Sequence, residues 1–358
     1  MKNKSRWWKA ILACTFFLVI VVILYFLKRD SADGRLLIWM VSLRLISKFL
    51  LFGGGTGAFG AMYMPEQASY FRLHPGSRFA MLADNVGHPL NEYLSIVVQW
   101  GLIGLVLFSL LIYLIIKAWL KNRSKETDTL FLILLSLASF SCFSYPLSYP
   151  FGWVMLVFCI SCSAIYAPGV TKKRNSFPFK YAFYVILSLF LFGSTYFFLL
   201  NYKQWFKVSS LSFSNTERLD TDYSCLYPKL KRDPTFLYNY ATSLHRERAY
   251  EKAEEILQEC LSYLTDYNTL FLLGSIYMAK GEDGKAKETY KELAEMCPNR
   301  FLPLYEMFLL AARNNQEEEA RSLCETILGK EIKIYSDKVL FIKTRCYNYL
   351  REKSLLIY

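Results

Sequence analysis

Five apolar stretches, each close to the length of a membrane helix, constrain the fold of this chain more than any other feature. They cover residues 10–27, 94–116, 130–145, 151–167 and 181–200. A helix needs roughly 20 mostly apolar residues to cross the hydrocarbon core of a bilayer. The sequence therefore predicts about five membrane-spanning helices, the third and fourth of which form a hairpin around a short turn at residues 146–150.

The charged residues divide the chain in two near residue 200. Residues 1–200 contain 19 Lys and Arg but 7 Asp and Glu, whereas residues 201–358 contain 23 of each. The net charge of +12 therefore belongs to the apolar half. Basic residues at the ends of apolar stretches orient membrane helices. The positive charge is thus explained by the membrane, and we expect no nucleic acid among the partners.

Three clusters of basic residues predict the topology. They precede the first apolar stretch, follow the second and separate the fourth from the fifth. Because such clusters stay in the cytoplasm, we predict a cytoplasmic N-terminus and place the loop 28–92 and all residues after 200 outside. Arg44 and Lys48 lie on one helical face of the apolar segment 36–52, so we interpret that segment as an amphipathic helix in the outer interface, not a sixth span.

The part after residue 200 repeats itself with a period of 33 to 34 residues. The aligned positions are Ala241, Gly274 and Phe308, followed by Ala253, Ala286 and Ala320. This is the tetratricopeptide period, and it predicts helix pairs over residues 234–328, after a linker at 201–233 and before a capping helix within 329–358. Helix pairs of this kind usually bind a protein partner, so we interpret this region as a scaffold.

Neither cysteine nor histidine spacing indicates a metal centre. Five of the nine cysteines follow residue 200, and Cys260, Cys297 and Cys324 fall near helix-packing positions, which favours small core residues over disulfides. The chain has three histidines, His74, His88 and His245. We therefore expect no metal ion and no cofactor.

Residues suited to chemistry are concentrated in the outer loop, which we assign to residues 28–92. Arg35 lies near its beginning and His88 near its end, so both return to the same membrane surface. Between them is a glycine run, residues 53–57, which lacks the Lys-Ser/Thr of a phosphate-binding loop. A simple turn is therefore the favoured interpretation of the run.

The order and spacing of these residues resemble the O-antigen ligase and O-antigen polymerase superfamily, which also includes bacterial O-linked protein oligosaccharyltransferases. The resemblance covers about residues 31–160. Its matching residues are Ser31, Asp33, Gly34, Arg35 and Trp39, the glycine run with Phe59 and Tyr63, and His88, Asn91, Tyr93 and Leu94, followed by residues 100–105. Its most specific part begins at His88.

The resemblance implies a membrane glycan transferase that moves a glycan from a polyprenyl diphosphate to an acceptor glycan, lipid or protein. The reaction would take place at the periplasmic face of the bacterial inner membrane. Arg35 would pair with the diphosphate through its planar fork, and His88 would receive or orient the acceptor hydroxyl. Further candidates for substrate binding are Asn91, Arg72, Arg78, Gly55, Gly57 and Tyr63.

Members of this family have many more spans before the loop, whereas one span, residues 1–27, precedes it here. We therefore expect a truncated or split gene product, or a second polypeptide that supplies the missing helices. The predicted fold is all-α, with four further membrane helices in residues 93–200 and a tetratricopeptide solenoid behind them. A non-enzymatic, membrane-anchored adaptor is the alternative function, and we favour the transferase because an adaptor has no need for Arg35, the glycine run and His88 in this order.

Overall fold

The computed structural model describes residues 25–121, 123–165 and 219–355, and in addition residues 15, 193, 199, 200, 202, 203 and 206. Nearly all of the predicted spans 10–27 and 181–200 lie outside these residues. The described parts are helical and contain no strand. The helices are α1 (Arg29–Lys48), α2 (Ala58–Leu73), α3 (Glu92–Lys121), α4 (Lys125–Ser141), α5 (Pro150–Ile165), α6 (Leu219–Leu230), α7 (Pro234–Arg246), α8 (Tyr250–Leu261), α9 (Tyr267–Lys280), α10 (Asp283–Met296), α11 (Leu302–Arg313), α12 (Glu317–Gly329) and α13 (Asp337–Leu355). Two short 3₁₀ helices lie at Ala80–Leu82 and Pro146–Ser148.

Within the described residues, α3 is the helix that is both long and apolar enough to cross a membrane. It has 30 residues, and its most apolar window has a mean hydropathy of 2.4. Helices α4 and α5 have 17 and 16 residues, so each is about 25 Å long at about 1.5 Å per residue, shorter than the hydrocarbon core. The prediction of about five spans is therefore not confirmed, although α4 and α5 do form the expected hairpin.

The outer loop contains two packed helices, α1 and α2. The apolar face of α1, which includes Leu37, Val41 and Leu45, is buried and packs against α2 and α3. The sequence prediction of a helix near residues 36–52 is correct in kind, because α1 is amphipathic. Its assignment to the lipid interface is not, because the buried face of α1 contacts protein.

The C-terminal part is built from helix pairs, as the repeat predicts: α7 with α8, α9 with α10, and α11 with α12, followed by α13. The three aligned alanines Ala253, Ala286 and Ala320 are fully buried. Gly274 of α9 lies against Tyr290 of α10, where a Cβ atom would come within 2.7 Å of the ring. The residues predicted as a linker contain α6, which packs on α7.

The outer loop and the first two repeats share one hydrophobic core. Buried residues of α1 and α2, such as Leu37 and Tyr63, belong to the same contact cluster as Tyr240, Leu257 and Ile276 of the repeats. The third repeat and α13 form a second cluster around Phe308. The repeats are thus packed onto the loop and are not held away from it by a flexible arm.

Candidate functional site

The glycine run, residues 53–57, forms backbone hydrogen bonds with α3 at a break in that helix, a contact that we name the clasp. At Gly101, φ is +63° and ψ is −159°, so the helix is interrupted there. In a continuous helix the N–H groups of residues 102 and 103 would donate to the carbonyls of residues 98 and 99. Here Leu102 N–H and Ile103 N–H donate to the carbonyls of Leu50 and Leu51, at 2.9 and 3.2 Å.

The two carbonyls freed by this break are satisfied by the glycine run. Gly54 N–H donates to Val98 O and Gly55 N–H donates to Gln99 O, both at 2.9 Å, while Gly57 N–H reaches the Gln99 side-chain oxygen at 3.2 Å. All four exchanged backbone groups therefore keep a hydrogen bond, as a membrane surface requires. The amides of Gly55 and Gly57, predicted to bind substrate, are occupied by this structural role.

Glycine is required at this contact for steric reasons. A Cβ atom at Gly53 would lie 2.4 Å from the backbone of Gln99, and one at Gly101 would lie 2.3 Å from Leu51 O. Both residues also have a positive φ, which side-chain-bearing residues rarely adopt. The part of α3 that follows the break, residues 102–121, is about 30 Å long at about 1.5 Å per residue and is long enough to span the bilayer by itself.

Three consecutive residues at the start of α3 fasten it to the α4–α5 hairpin. Asn91 donates to Cys142 O at 3.0 Å and accepts from Leu94 N–H at 2.9 Å. The Glu92 carboxylate accepts from Leu147 N–H at 2.7 Å, and the Tyr93 hydroxyl donates to Ala138 O at 2.9 Å. Both ends of the Asn91 amide are therefore used within the protein, and in this arrangement it caps α3 and does not face a ligand.

His88 precedes these three hydrogen-bonded residues in the chain. Its ring stacks on Tyr145, with centroids 4.3 Å apart and planes 14° apart, and Tyr145 is at the turn whose amide binds Glu92. Part of the His88 ring stays open to solvent. Partial burial lowers the pKa of His88 below its usual value, so at neutral pH the imidazole is uncharged and can accept a proton.

Arg35 lies in a cavity between α1, α2 and the loop segment 82–90. The cavity has a volume of about 210 Å³ and is lined by Arg35 together with Ser31, Gln67, Asp84 and Leu90. One helical turn beyond Arg35, the Trp39 indole donates to Pro89 O at 3.2 Å. Arg35 and His88 are therefore carried by two segments that are bonded to each other, although His88 does not line the cavity.

The other arginines of the loop already have partners. Arg29 pairs with Asp33 at 3.6 Å and Arg72 with Glu295 at 2.5 Å. Arg78 lies 4.8 Å from the centroid of the neighbouring Phe79 ring. Arg44 is bonded to Glu66, as described below. Within the described residues, Arg35 has no hydrogen-bond or ion-pair partner, so its guanidinium is available to a ligand in the cavity.

Arg44 and Lys48 of α1 converge on a buried carboxylate. Glu66 of α2, whose side chain is 3% exposed, accepts from Arg44 at 3.0 Å and also from Lys48. Burial alone would raise the pKa of Glu66, but the hydrogen bonds from Lys48 and Arg44 outweigh it and hold the pKa below its usual value. The prediction that these two cations anchor the helix in lipid headgroups is therefore wrong, because they neutralise Glu66.

The loop is bonded to the repeats beside the Arg35 cavity. The Gln67 amide donates to Asp84 O at 3.1 Å and to Met296 O, at the end of α10, at 2.8 Å. The Asp84 carboxylate pairs with Arg300 at 2.9 Å. Since Gln67 and Asp84 both line the cavity, the walls around Arg35 are held in place by the second repeat.

Further polar contacts extend this interface. They join Asn85 to Asp266, Asn299 to Met81 O and Ala83 O, Arg72 to Glu295, and Thr265 N–H to Gly60 O. Arg72 is therefore committed to the repeats. Tyr63, another predicted substrate contact, is fully buried and donates to Gln67 at 3.0 Å. It therefore stabilises the position of Gln67, which lines the cavity.

Four residues that build the site were not predicted from the sequence: Glu66, Gln67, Asp84 and Glu92. Glu66 and Glu92 are acidic residues in apolar surroundings, which is the signal that could have identified them. Gln67 and Asp84 carry no local signal of their contact with the repeats, because Met296 and Arg300, with which they bond there, are more than 200 residues away in the chain.

An apolar groove runs along α3 and α4 below His88. Its walls include Phe108, Ile112 and Leu134, and its outer end is formed by Glu92 and Tyr93. The groove is therefore bordered by apolar side chains along the membrane helix and by polar groups at the end nearest the loop.

Comparison with known protein families agrees with this architecture. The O-antigen ligase family model matches residues 1–109, and a tetratricopeptide-repeat model matches residues 267–300. The first match contains α1, α2, His88 and the break in α3, and the second contains α9 and α10. No curated protein matches the chain.

The fold and these matches define a helical protein with an O-antigen ligase-like segment and a tetratricopeptide region. The resemblance identified from the sequence is confirmed for both parts. The family matched by residues 1–109 suggests an inner-membrane protein with a glycan or lipid substrate, and the repeats suggest protein partners.

Proposed function

We propose that the chain transfers a glycan from a polyprenyl diphosphate to an acceptor hydroxyl at the periplasmic face of the inner membrane. The observation that carries this proposal is the free guanidinium of Arg35 in its cavity. Four other arginines of the same loop are paired or stacked. Arg35 has no partner within the described residues, so it is poised for an external anion. A guanidinium forms two parallel hydrogen bonds with a phosphate, which suits it to a diphosphate.

The groove along α3 and α4 is the proposed site of the polyprenyl chain. A lipid that lies in this groove would place its polar head at Glu92 and Tyr93, close to His88 and to the loop. The donor would thus be held by apolar contacts in the membrane and by Arg35 above it.

In the proposed reaction the acceptor oxygen attacks the anomeric carbon of the donor glycan. The bond between that carbon and the diphosphate oxygen breaks, the hydroxyl proton passes to His88, and the diphosphate leaves with its charge stabilised by Arg35. The lowered pKa of His88 supports its role as the proton acceptor, because the ring stays neutral at pH 7. The transfer rate should therefore be constant around pH 7 and fall only as the pH drops below about 6.5, the usual pKa of histidine.

The repeats take part in this proposal in two ways. They fix Gln67 and Asp84, which wall the Arg35 cavity, and their remaining surface is available to a protein partner. An adaptor that only needed an anchor would gain nothing from a solenoid packed onto the loop. A transfer assay with each acceptor class distinguishes a glycan, a lipid and a protein as the acceptor.

The test is transfer from a polyprenyl diphosphate-linked oligosaccharide in membranes, with any helices supplied by a second polypeptide present. Arg35→Lys should lose at least about 100-fold in rate, because an ammonium cannot reproduce the two-point contact. His88→Ala should lose a similar factor through removal of the proton acceptor.

Matched controls exist for both changes. Arg29→Lys makes the same substitution on the same helix, and His74→Ala removes an exposed histidine of the same loop. Both should retain activity. Near-normal transfer by Arg35→Lys or His88→Ala would show that the site is assigned wrongly. A folded wild-type protein that transfers to none of the three acceptor classes would favour the adaptor.

A further inference from the structure

A second cavity lies on the other side of Asp84, between the loop and the third repeat. It has a volume of about 380 Å³. Its walls come from the loop at Asp84, from the start of α9 at Tyr267, from residues 299–302 and from the segment 333–342 before and within α13. Two helices, α11 and α13, begin at this cavity, so their partly positive N-terminal ends lie beside it.

The charges that line this cavity are predominantly positive. Arg300 is neutralised by Asp84, and its guanidinium carbon lies 4.0 Å from the centroid of the Tyr267 ring. Lys333 and Lys338 are exposed and form no ion pair within the described residues. Glu306 of α11 is near enough to Lys338 for their charges to interact, but it does not line the cavity. The lining therefore has a surplus of two cations.

The two cavities are neighbours with a common wall. The side chain or backbone of Asp84 lines both the Arg35 cavity and the cationic one. A molecule whose diphosphate is bound at Arg35 could extend past Asp84 into the second cavity without leaving the protein surface. The segment of the substrate that does so would be part of the glycan, because the lipid chain is assigned to the groove along α3 and α4, which Asp84 does not line.

We propose that the cavity between Asp84, Arg300, Lys333 and Lys338 is a subsite for an anionic oligosaccharide, which it binds through the carboxylates of acidic sugars. The proposal rests on the function proposed above, since the neighbouring Arg35 cavity is what favours a glycan over an acidic peptide. The Ser336 oxygen accepts from Val339 N–H at 3.3 Å, so its hydroxyl offers a sugar only its proton. The amides of Leu302 and Leu304 at the start of α11 are further donors, since Pro303 has no N–H.

The test is equilibrium binding to the full chain in lipid nanodiscs, with hexagalacturonate as the probe. Maltohexaose is the neutral sugar of equal length, and hexaglutamate is the acidic peptide of equal charge. We expect hexagalacturonate to bind more tightly than both. Its affinity should fall about tenfold in the double variant Lys333→Gln/Lys338→Gln, because each exposed charge contact is worth up to about fivefold.

The matched control is Lys231→Gln/Lys291→Gln, which removes two exposed lysines elsewhere on the same solenoid and should leave binding unchanged. Equal affinity in the wild type and in the Lys333/Lys338 variant would overturn the subsite, as would hexaglutamate binding as tightly as the sugar. The assay needs no catalysis. If binding fails but Arg35→Lys still abolishes transfer, the subsite alone is wrong; if Arg35→Lys stays active, the proposed function is wrong whatever the probe does.

Discussion

The outer loop and the repeats lie against each other but are stabilised by different means. The repeats are held by regular apolar packing, in which Gly274 fits against the Tyr290 ring and Ala286 is fully buried. The loop also buries an apolar face, but it depends in addition on individual polar bonds, such as those of Glu66 and Gln67, and on the backbone contact of Gly53 with α3. The stabilising free energy of the repeats is thus spread over many apolar contacts, whereas the polar bonds of the loop depend on a few groups.

This difference predicts that single substitutions in the loop are more damaging than comparable ones in the repeats. The loop has to present Arg35 and His88 at a fixed place, and directional bonds position side chains more sharply than apolar contacts do. The four predictions below test this comparison, from the largest expected effect to the smallest.

The largest effect is expected for Gly101→Ala. The new Cβ would meet Leu51 O at 2.3 Å and force an unfavourable positive φ, so we expect a loss of at least about 3 kcal/mol in the free energy of unfolding. The measurement is the yield of monodisperse protein after detergent extraction. Gly284→Ala is the control, since nothing lies within 4 Å of the Cβ there; equal yields of the two variants would argue against the clasp.

The second effect concerns the buried carboxylate Glu66. Glu66→Gln removes the charge that neutralises Arg44 and Lys48 and should destabilise α1 and α2 by about 2 to 3 kcal/mol. Glu317→Gln removes the exposed pair with Lys353 in the repeats and should leave the stability of α12 unchanged, because solvent screens an exposed ion pair. Hydrogen exchange of the amides in α1 and α2 measures the first change, and exchange of the amides in α12 measures the second.

Glu66 also predicts a pH dependence. Because the pKa of Glu66 is lower in the folded protein than in the unfolded chain, its contribution is complete above the unfolded pKa, near 4.5. That contribution is lost as the pH falls through the lower, folded value. The protection factors of the amides in α1 and α2, which compare exchange with that of the unfolded chain at the same pH, should fall on acidification below about pH 4.5. This fall should be smaller in Glu66→Gln. An identical acid profile in both proteins would contradict the assignment.

The third effect tests the packing of the repeats. Ala286 is fully buried where α10 meets its neighbours, so Ala286→Leu should overpack the contact and cost about 1 to 3 kcal/mol. Exchange should increase in α9 and α10 before it increases in α13, which belongs to the other hydrophobic cluster. Uniform destabilisation of all helices would indicate that the solenoid and the loop unfold as one unit.

The smallest effect is expected at Lys330, near the end of the third repeat. Burial lowers the pKa of Lys330 to about 8, below its unfolded value of 10.5. Between these two values the unfolded chain binds more protons than the folded one, so stability rises with pH. We expect a gain of about 1 kcal/mol in α11 to α13 from pH 7.5 to 9. Hydrogen exchange should show no such gain in Lys330→Met.

The sequence by itself determined the features that arise from periodicity and composition. The 33- to 34-residue period identified the helix pairs and the buried alanines, because every repeat has to bury the same face. The apolar stretch at 94–116 identified α3, and the residues around Arg35, His88 and Gly101 identified the ligase-like segment. These signals can be read along the chain, since each depends on the order and spacing of residues and not on which distant segments pack together.

Tertiary structure alone decided what the polar residues do. The sequence predicted several substrate contacts beside Arg35, namely Asn91, Tyr63, Arg72 and the amides of Gly55 and Gly57. Each of these has a partner within the protein, whereas Arg35 has none among the described residues. Arg44 and Lys48 looked like lipid anchors until the fold placed Glu66 between them. The partner of a polar group is fixed by which distant segments meet, and contacts such as Gln67 with Met296 join residues 229 positions apart, a separation at which no local sequence pattern carries information.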